Sequence, residues 1–160
     1  MSESSVVTLH GWAIYSHALF VQRLDDLIAA VEKLEQKDPD GFHHHPFYKL
    51  LESVDHQITE CVPLEPNHNN YSVSTLGKGL THWRRVKKGL PQRYRLFFQF
   101  RSQAPKTIIY AWLNDESSIR RAGDRDDVYE VFKRMVAGGK MPNSFDELLA
   151  ASEPGTSSGT

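Results

Sequence analysis

Between Glu65 and Asp115 the chain has no carboxylate side chain. The same stretch carries nine bases: Lys78, Arg84, Arg85, Lys87, Lys88, Arg93, Arg95, Arg101 and Lys106. Residues 1–65 hold eleven acids against four bases, and residues 115–160 hold nine against six. A formal net charge of −1 therefore hides a basic middle between two acidic ends. Segregation of this kind points to an anionic partner, either nucleic acid or a membrane surface. The interleaved aromatics Trp83, Tyr94, Phe97, Phe98, Phe100, Tyr110 and Trp112 favour nucleic acid, because bases stack on rings while phosphates pair with arginine. The competing reading is a solvated basic sheet face whose aromatics turn into the core.

Other scarcities narrow the field. One cysteine, Cys61, excludes an internal disulfide and fits a reducing cytoplasm. Its helical spacing from Ile58 reads as a small buried hydrophobe rather than a nucleophile. No apolar run approaches the ~20 residues that span a bilayer, so no membrane role is expected. The start, Met-Ser-Glu-Ser-Ser, lacks the features of a secretory signal. There is no Gly-rich phosphate loop, no nucleophile elbow and no internal repeat. At 160 residues the chain suffices for one domain with a real core. Residues 1–10 read as a flexible N-terminus, 11–152 as the domain and 153–160 as a disordered tail.

Periodicity orders the middle. Phe20, Leu24, Leu27, Ile28, Val31 and Leu34 follow helical spacing over residues 17–37, stopped by Asp38-Pro39-Asp40-Gly41. A second helix over 46–61 puts Phe47, Leu50, Leu51, Val54, Ile58 and Cys61 on one face, and the pair makes a helical hairpin. Residues 67–81 read as a loop. Strands follow over 82–88, 92–101 and 106–113. In the second, Arg93, Arg95, Phe97, Gln99 and Arg101 alternate with Tyr94, Leu96, Phe98 and Phe100. Three strands with brief turns predict an antiparallel meander. Asp115 caps a short turn, residues 126–137 form a further helix stopped by Gly138-Gly139, and Ser144 with Glu147 makes a capping box. The plan is α+β, with helices on an antiparallel sheet.

Two groups of residues invite chemistry. Adjacent His43, His44 and His45 cannot all face one ion without contorting the backbone, and no further ligands sit at usable spacing, so neither a metal nor a cofactor is expected. The basic strands offer more. Residues two apart share a strand face, so Arg85 and Lys87 lie together, as do Arg93 and Arg95, while Arg84 points away. Such a patch suits an RNA phosphodiester, whose oxygens accept bidentate hydrogen bonds from guanidinium. Metal-free RNA cleavage needs deprotonation of the 2′-OH, stabilisation of the phosphorane and protonation of the leaving 5′-oxygen; aimed cations supply the second. Tyr129 is a candidate acid or base, or else a residue that merely packs between helix and sheet.

Six segments carry a resemblance: G-W-A-I-Y-S-H-A-L-F (11–20), K-L-L (49–51), L-G…H-W-R-R-V-K (76–87), R-Y-R-L-F-F (93–98), A-W-L-N-D-E (111–116) and D-V-Y-E-V-F-K-R-M (127–135). In order and spacing they resemble the YhaV-type toxins of bacterial type II toxin–antitoxin systems, within the RelE/ParE superfamily. The resemblance implies a RelE-like fold of N-terminal helices, a curved antiparallel sheet and a C-terminal helix. It implies an endoribonuclease that cuts mRNA on translating ribosomes and halts growth. It also implies a PrlF-like antitoxin with an AbrB-type DNA-binding domain, and repression of operator DNA by the complex. Carried over by motif, Arg85, Lys87, Arg95 and Tyr129 become catalytic candidates, with Arg84, Lys88, Arg93 and Arg121 as RNA contacts. The arginine that precedes the last long helix in the superfamily corresponds to Arg120, Arg121 or Arg125, with Arg121 favoured. The chain departs from the pattern at Lys88, where many relatives have an aromatic, and at Gln99, where many have arginine.

Three other functions compete. A non-catalytic ParE-like toxin would use a similar fold to bind gyrase. A plain RNA-binding module would bind with strong salt dependence but cut nothing. A metal nuclease would be abolished by chelators.

Overall fold

A computed structural model describes residues 6–155. The chain opens with a hairpin, β1 (Val7–Leu9) and β2 (Trp12–His17), joined at His10-Gly11 with φ of 51° and 87°. Two successive left-handed residues are what a type I′ hairpin turn requires, and Gly11 takes the second without strain. Helix α1 (Ala18–Lys37) follows directly, then α2 (Pro46–His56), whose axis continues through a π turn (Gln57–Cys61) into the short α3 (Val62–Leu64). Strands β3 (Arg84–Val86), β4 (Leu96–Arg101) and β5 (Thr107–Leu113) come next, then α4 (Val128–Ala137), α5 (Phe145–Ala150) and β6 (Ser152–Pro154).

The sheet runs β1-β2-β5-β4-β3, with β6 also paired to β2. The expected meander of β3, β4 and β5 is present and antiparallel. The sheet as a whole is mixed, because β2 lies parallel to β5, with Ile14 opposite Ile108. The helical hairpin between them supplies the long connection that parallel strands need. Residues 7–9 and 153–154, which fall in the segments expected to be loose, lie in strands β1 and β6. Gly155 N donates to Ile14 O at 2.9 Å, and Ser16 Oγ donates to Gly155 O at 2.6 Å, which pins the C-terminal segment to β2. Residues 1–5 and 156–160 of the two expected flexible segments lie outside the described residues.

Period-two alternation gives the sheet two apolar faces. On one, Leu96, Phe98, Ile108 and Tyr110 pack with Phe20, Leu24 and Leu27 of α1 and Leu50 and Val54 of α2. On the other, Phe97, Ile109 and Ala111 pack with Trp83, Val128 and Phe132. Phe132 stacks on Phe97 at 4.2 Å and meets Trp83 edge-on at 4.8 Å, which fixes the seat of α4 on the sheet. The expected caps form as well. Asp115 accepts from Ser117 N at 2.9 Å, and Ser144 Oγ accepts from Glu147 N at 3.1 Å. Cys61 is half-buried. Burial, and then the Glu60 carboxylate, push its thiol up, away from nucleophile behaviour.

His17 caps α1, its Nδ1 accepting from Leu19 N at 3.1 Å. Burial lowers its pKa from 6.5. Between that lowered value and 6.5 the unfolded chain binds the proton and the folded chain does not. The stabilisation is therefore complete above about 6.5 and is lost as pH falls through this window. The melting temperature should drop as the pH is lowered from 7, and His17→Asn, which keeps a cap but cannot titrate, should flatten that part of the profile. Parallel profiles for the two proteins would refute the assignment.

Candidate active site

Arg85 stands in the middle of β3 opposite Phe97, so its side chain leaves the sheet on the α4 face. Arg95 precedes β4 by one residue and leaves on the same side as Phe97, two positions on. Tyr129 sits in the first turn of α4, whose N-cap is Asp127. These three placements converge on one atom. The Tyr129 hydroxyl oxygen accepts from Arg85 Nε at 2.9 Å and from Arg95 Nε at 3.1 Å. Tyr129 is 3% exposed and Arg95 7%. Phe97 meets the tyrosine ring edge-on at 5.8 Å.

The arginines are braced by carbonyls. Arg85 Nη1 donates to Asn70 O at 3.1 Å and Ser72 O at 2.8 Å, and Arg95 Nη1 to Tyr94 O at 2.9 Å. These dipoles orient the two cations without neutralising them. Among the described residues neither Nη2 group has a protein acceptor, so both remain available to an anion. Nor does a described acceptor take the Tyr129 hydroxyl proton. Tyr94 turns to the other face and donates to Glu116 at 3.1 Å. Burial, and then the Glu116 charge, push its phenol up to about 12, which makes it a weaker acid than an ordinary phenol.

A third guanidinium joins from the loop before α4, and it belongs to Arg120 rather than the expected Arg121. Arg120 Cζ lies 4.9 Å from the Tyr129 ring centroid, and Arg120 Nη1 donates to Asp127 Oδ2 at 2.9 Å. Arg121 is exposed and reaches the cluster only through its backbone N, which donates to Asp127 Oδ1 at 2.6 Å. Asp127, 1% exposed, also accepts from Tyr129 N at 3.1 Å. It thus caps the helix and tethers Arg120. Sequence periodicity had no hold on either residue, since both lie in an irregular loop; the D-D-V-Y run, with its acid two residues before Tyr129, was the available signal. A cleft of about 360 Å³ opens beside Arg120 and is also lined by Thr75, Asp124 and Glu130.

The remaining candidates lie elsewhere. Strand β3 ends at Val86, so Lys87 and Lys88 are exposed beyond it and the expected Arg85–Lys87 strand pair does not form. Arg93 precedes β4 in a turn with φ of 78°, which breaks its expected alternation with Arg95. Arg84 leaves by the opposite face over the Phe100 ring at 5.4 Å, reaching Ser72 Oγ and His68 O at 3.3 Å. Burial lowers its pKa, and its Nε is buried without an acceptor. Gln99 is buried against Asn143 O at 3.0 Å. His45 caps α2, accepting from Phe47 N at 3.0 Å, while His43 and His44 stack on each other. Among the described residues no three His, Cys, Asp or Glu side chains form a metal-holding group, and no helix is long and apolar enough to cross a membrane.

A family described as toxins with endonuclease activity, of a toxin–antitoxin system, matches residues 14–153. The chain belongs to the YhaV toxin family. It is similar to the ribonuclease toxin YhaV of Escherichia coli (strain K12) and to toxin YhaV of Escherichia coli O157:H7. Each is 37% identical over 147 residues, spanning 91% of this chain and 94% of the relative. No solved structure matches the chain significantly. The α+β arrangement agrees with the RelE-like plan that the family resemblance implied.

Loss of the Asp127 carboxylate should cost both a helix cap and the tether of Arg120. Asp127→Ala is expected to destabilise by about 2 kcal/mol, from a cap worth about 1 and a charged hydrogen bond of similar size. Asp127→Asn, which keeps a capping oxygen, should cost less. Urea unfolding measures both, and equal stability of the alanine variant and wild type would contradict the assigned role.

Proposed function

We propose that this chain is a ribonuclease toxin that cuts mRNA without a metal ion, with Arg85, Arg95 and Tyr129 as its catalytic residues. The observation that carries this reading is the phenol oxygen held by two guanidinium groups on the largely apolar α4 face of the sheet. In the proposed step the 2′-oxygen attacks phosphorus as its proton leaves to a base. The bond from phosphorus to the 5′-oxygen breaks, and that oxygen takes up a proton. The products are a 2′,3′-cyclic phosphate and a 5′-hydroxyl. The free Nη2 groups of Arg85 and Arg95 would carry the charge that grows on the phosphorane oxygens. Tyr129, whose proton has no acceptor among the described residues, would donate to the leaving oxygen. Arg120 lies on the tyrosine ring and would add field without touching the oxygen.

Lys87, Lys88 and Arg93, exposed around the turn between β3 and β4, would hold the RNA backbone on either side. Arg121 is exposed and would serve the same purpose; Arg84, on the opposite face, would not reach the same phosphate. The site supplies charge and a proton but little that orients a flexible strand. The ribosome, by fixing the message, would provide that orientation. The partner would be a PrlF-like antitoxin of AbrB type, which masks the basic surface and brings the complex to operator DNA. These partners rest on the family's place in a toxin–antitoxin system.

In a purified translation mixture, Arg85→Ala should lower cleavage of a defined mRNA by about 10²–10³-fold. Wild-type ends should carry 2′,3′-cyclic phosphate. Full activity of a folded Arg85→Ala protein, or ends bearing 3′-hydroxyl, would overturn the proposal. No cleavage, with DNA supercoiling disturbed instead, would favour a gyrase-binding toxin.

A further inference from the structure

Arg93 is one of two non-glycine residues described with positive φ, at 78°. L side chains seldom adopt this conformation, so something must hold it. Its carbonyl accepts two hydrogen bonds, from Arg120 N at 2.9 Å and from Asn114 Nδ2 at 3.2 Å. Asn114, fully buried, follows β5 directly and does more than this. Its Nδ2 also donates to Ser118 O at 2.8 Å, and its Oδ1 accepts from Arg95 N at 2.8 Å. The amide orientation is fixed by its partners, two carbonyls on one side and an N–H on the other. The backbone carbonyl of Asn114 is itself anchored by Arg23 Nε at 3.0 Å.

One buried amide therefore binds the segment that ends in Arg95 and the segment that leads to Arg120. Those two side chains reach Tyr129 by different routes, one to its oxygen and the other to its ring. We infer that Asn114 is a positioning residue for cleavage: it holds Arg93 in the left-handed turn and so aims Arg95 and Arg120 at Tyr129. The inference rests on the nuclease reading above. It makes the A-W-L-N-D-E segment functional through Asn114, which touches neither substrate nor the tyrosine.

Glycine enters positive φ without strain, so a glycine at 93 should hold the turn with less help from Asn114. Single-turnover cleavage in the translation mixture is measured for wild type, Asn114→Ala, Arg93→Gly and the double variant, alongside RNA affinity and thermal unfolding. Asn114→Ala alone should lower the rate about 10²-fold, as expected for reacting groups misplaced by about 1 Å, with RNA affinity little changed. In the Arg93→Gly background the same substitution should lower it only a few-fold; using that background cancels any loss of the Arg93 charge. Should Asn114→Ala fail to fold, Asn114→Asp repeats the cycle, since it keeps the acceptor for Arg95 N and loses both donations. Equal losses in the two backgrounds, or a wild-type rate for the Asn114 variant, would overturn the inference while leaving the nuclease intact. Absence of cutting by the wild type would defeat both.

Discussion

One phenol oxygen holds two arginines that the chain delivers from different strands. Arg85 arrives from the edge strand β3, Arg95 from the residue before β4, and Tyr129 descends on both from α4. Two guanidinium groups brought to one atom repel each other, and the neighbourhood is poor in counter-charge. Among the described residues the one buried carboxylate nearby, Asp127, is taken up by Arg120 and by the helix cap. The opposition is offset by packing. Phe97, Trp112 and Phe132 stack on one another and Phe97 meets the tyrosine edge-on, so α4 cannot slide to relieve the charges without losing its seat. The absence of acids from residues 66–114 is intelligible on these grounds, since a carboxylate on this face would neutralise the pair by direct contact.

The two faces of the sheet divide the labour. The α1–α2 face is a thick apolar layer with few polar groups, and Tyr110 meets that rule by donating to Ile58 O at 2.8 Å in the π turn. The α4 face carries the charged cluster at one end and apolar packing at the other. Arg84 and Arg85, adjacent in sequence, are separated by this division: one covers Phe100 on the first face and the other reaches Tyr129 on the second. A shift of β3 by one residue would exchange them, and so the Arg85–Phe97 register matters to the site.

Much of this was legible in the residues. Helical spacing gave α1 and α4 to within two residues and α2 together with the π turn that extends it, alternation gave β4, and the apolar, branched run of residues 106–113 gave β5. Strands β1, β2 and β6 escaped the pattern because they are short, and β2 and β6 take partners far along the chain, Tyr15 pairing with Ile109 on one side and with Pro154 on the other. The family motifs led to Arg85, Arg95 and Tyr129, which converge. Alternation misled at Lys87 and Arg93 because it was carried past strand ends, where the backbone turns. Arg120, Asp127 and Asn114 lie in loops or caps, where no period marks a residue, and tertiary hydrogen bonds show what each of them holds.

The most direct test is the Tyr129→Phe substitution, read as single-turnover cleavage of ribosome-bound mRNA beside RNA affinity. It removes one oxygen and leaves the ring edge-on to Phe97 and in contact with Arg120. A fall of about 10²–10⁴-fold in rate, with RNA affinity unchanged, is the result expected if this oxygen takes part in proton transfer. A wild-type rate in the folded variant would contradict it and reduce the tyrosine to packing.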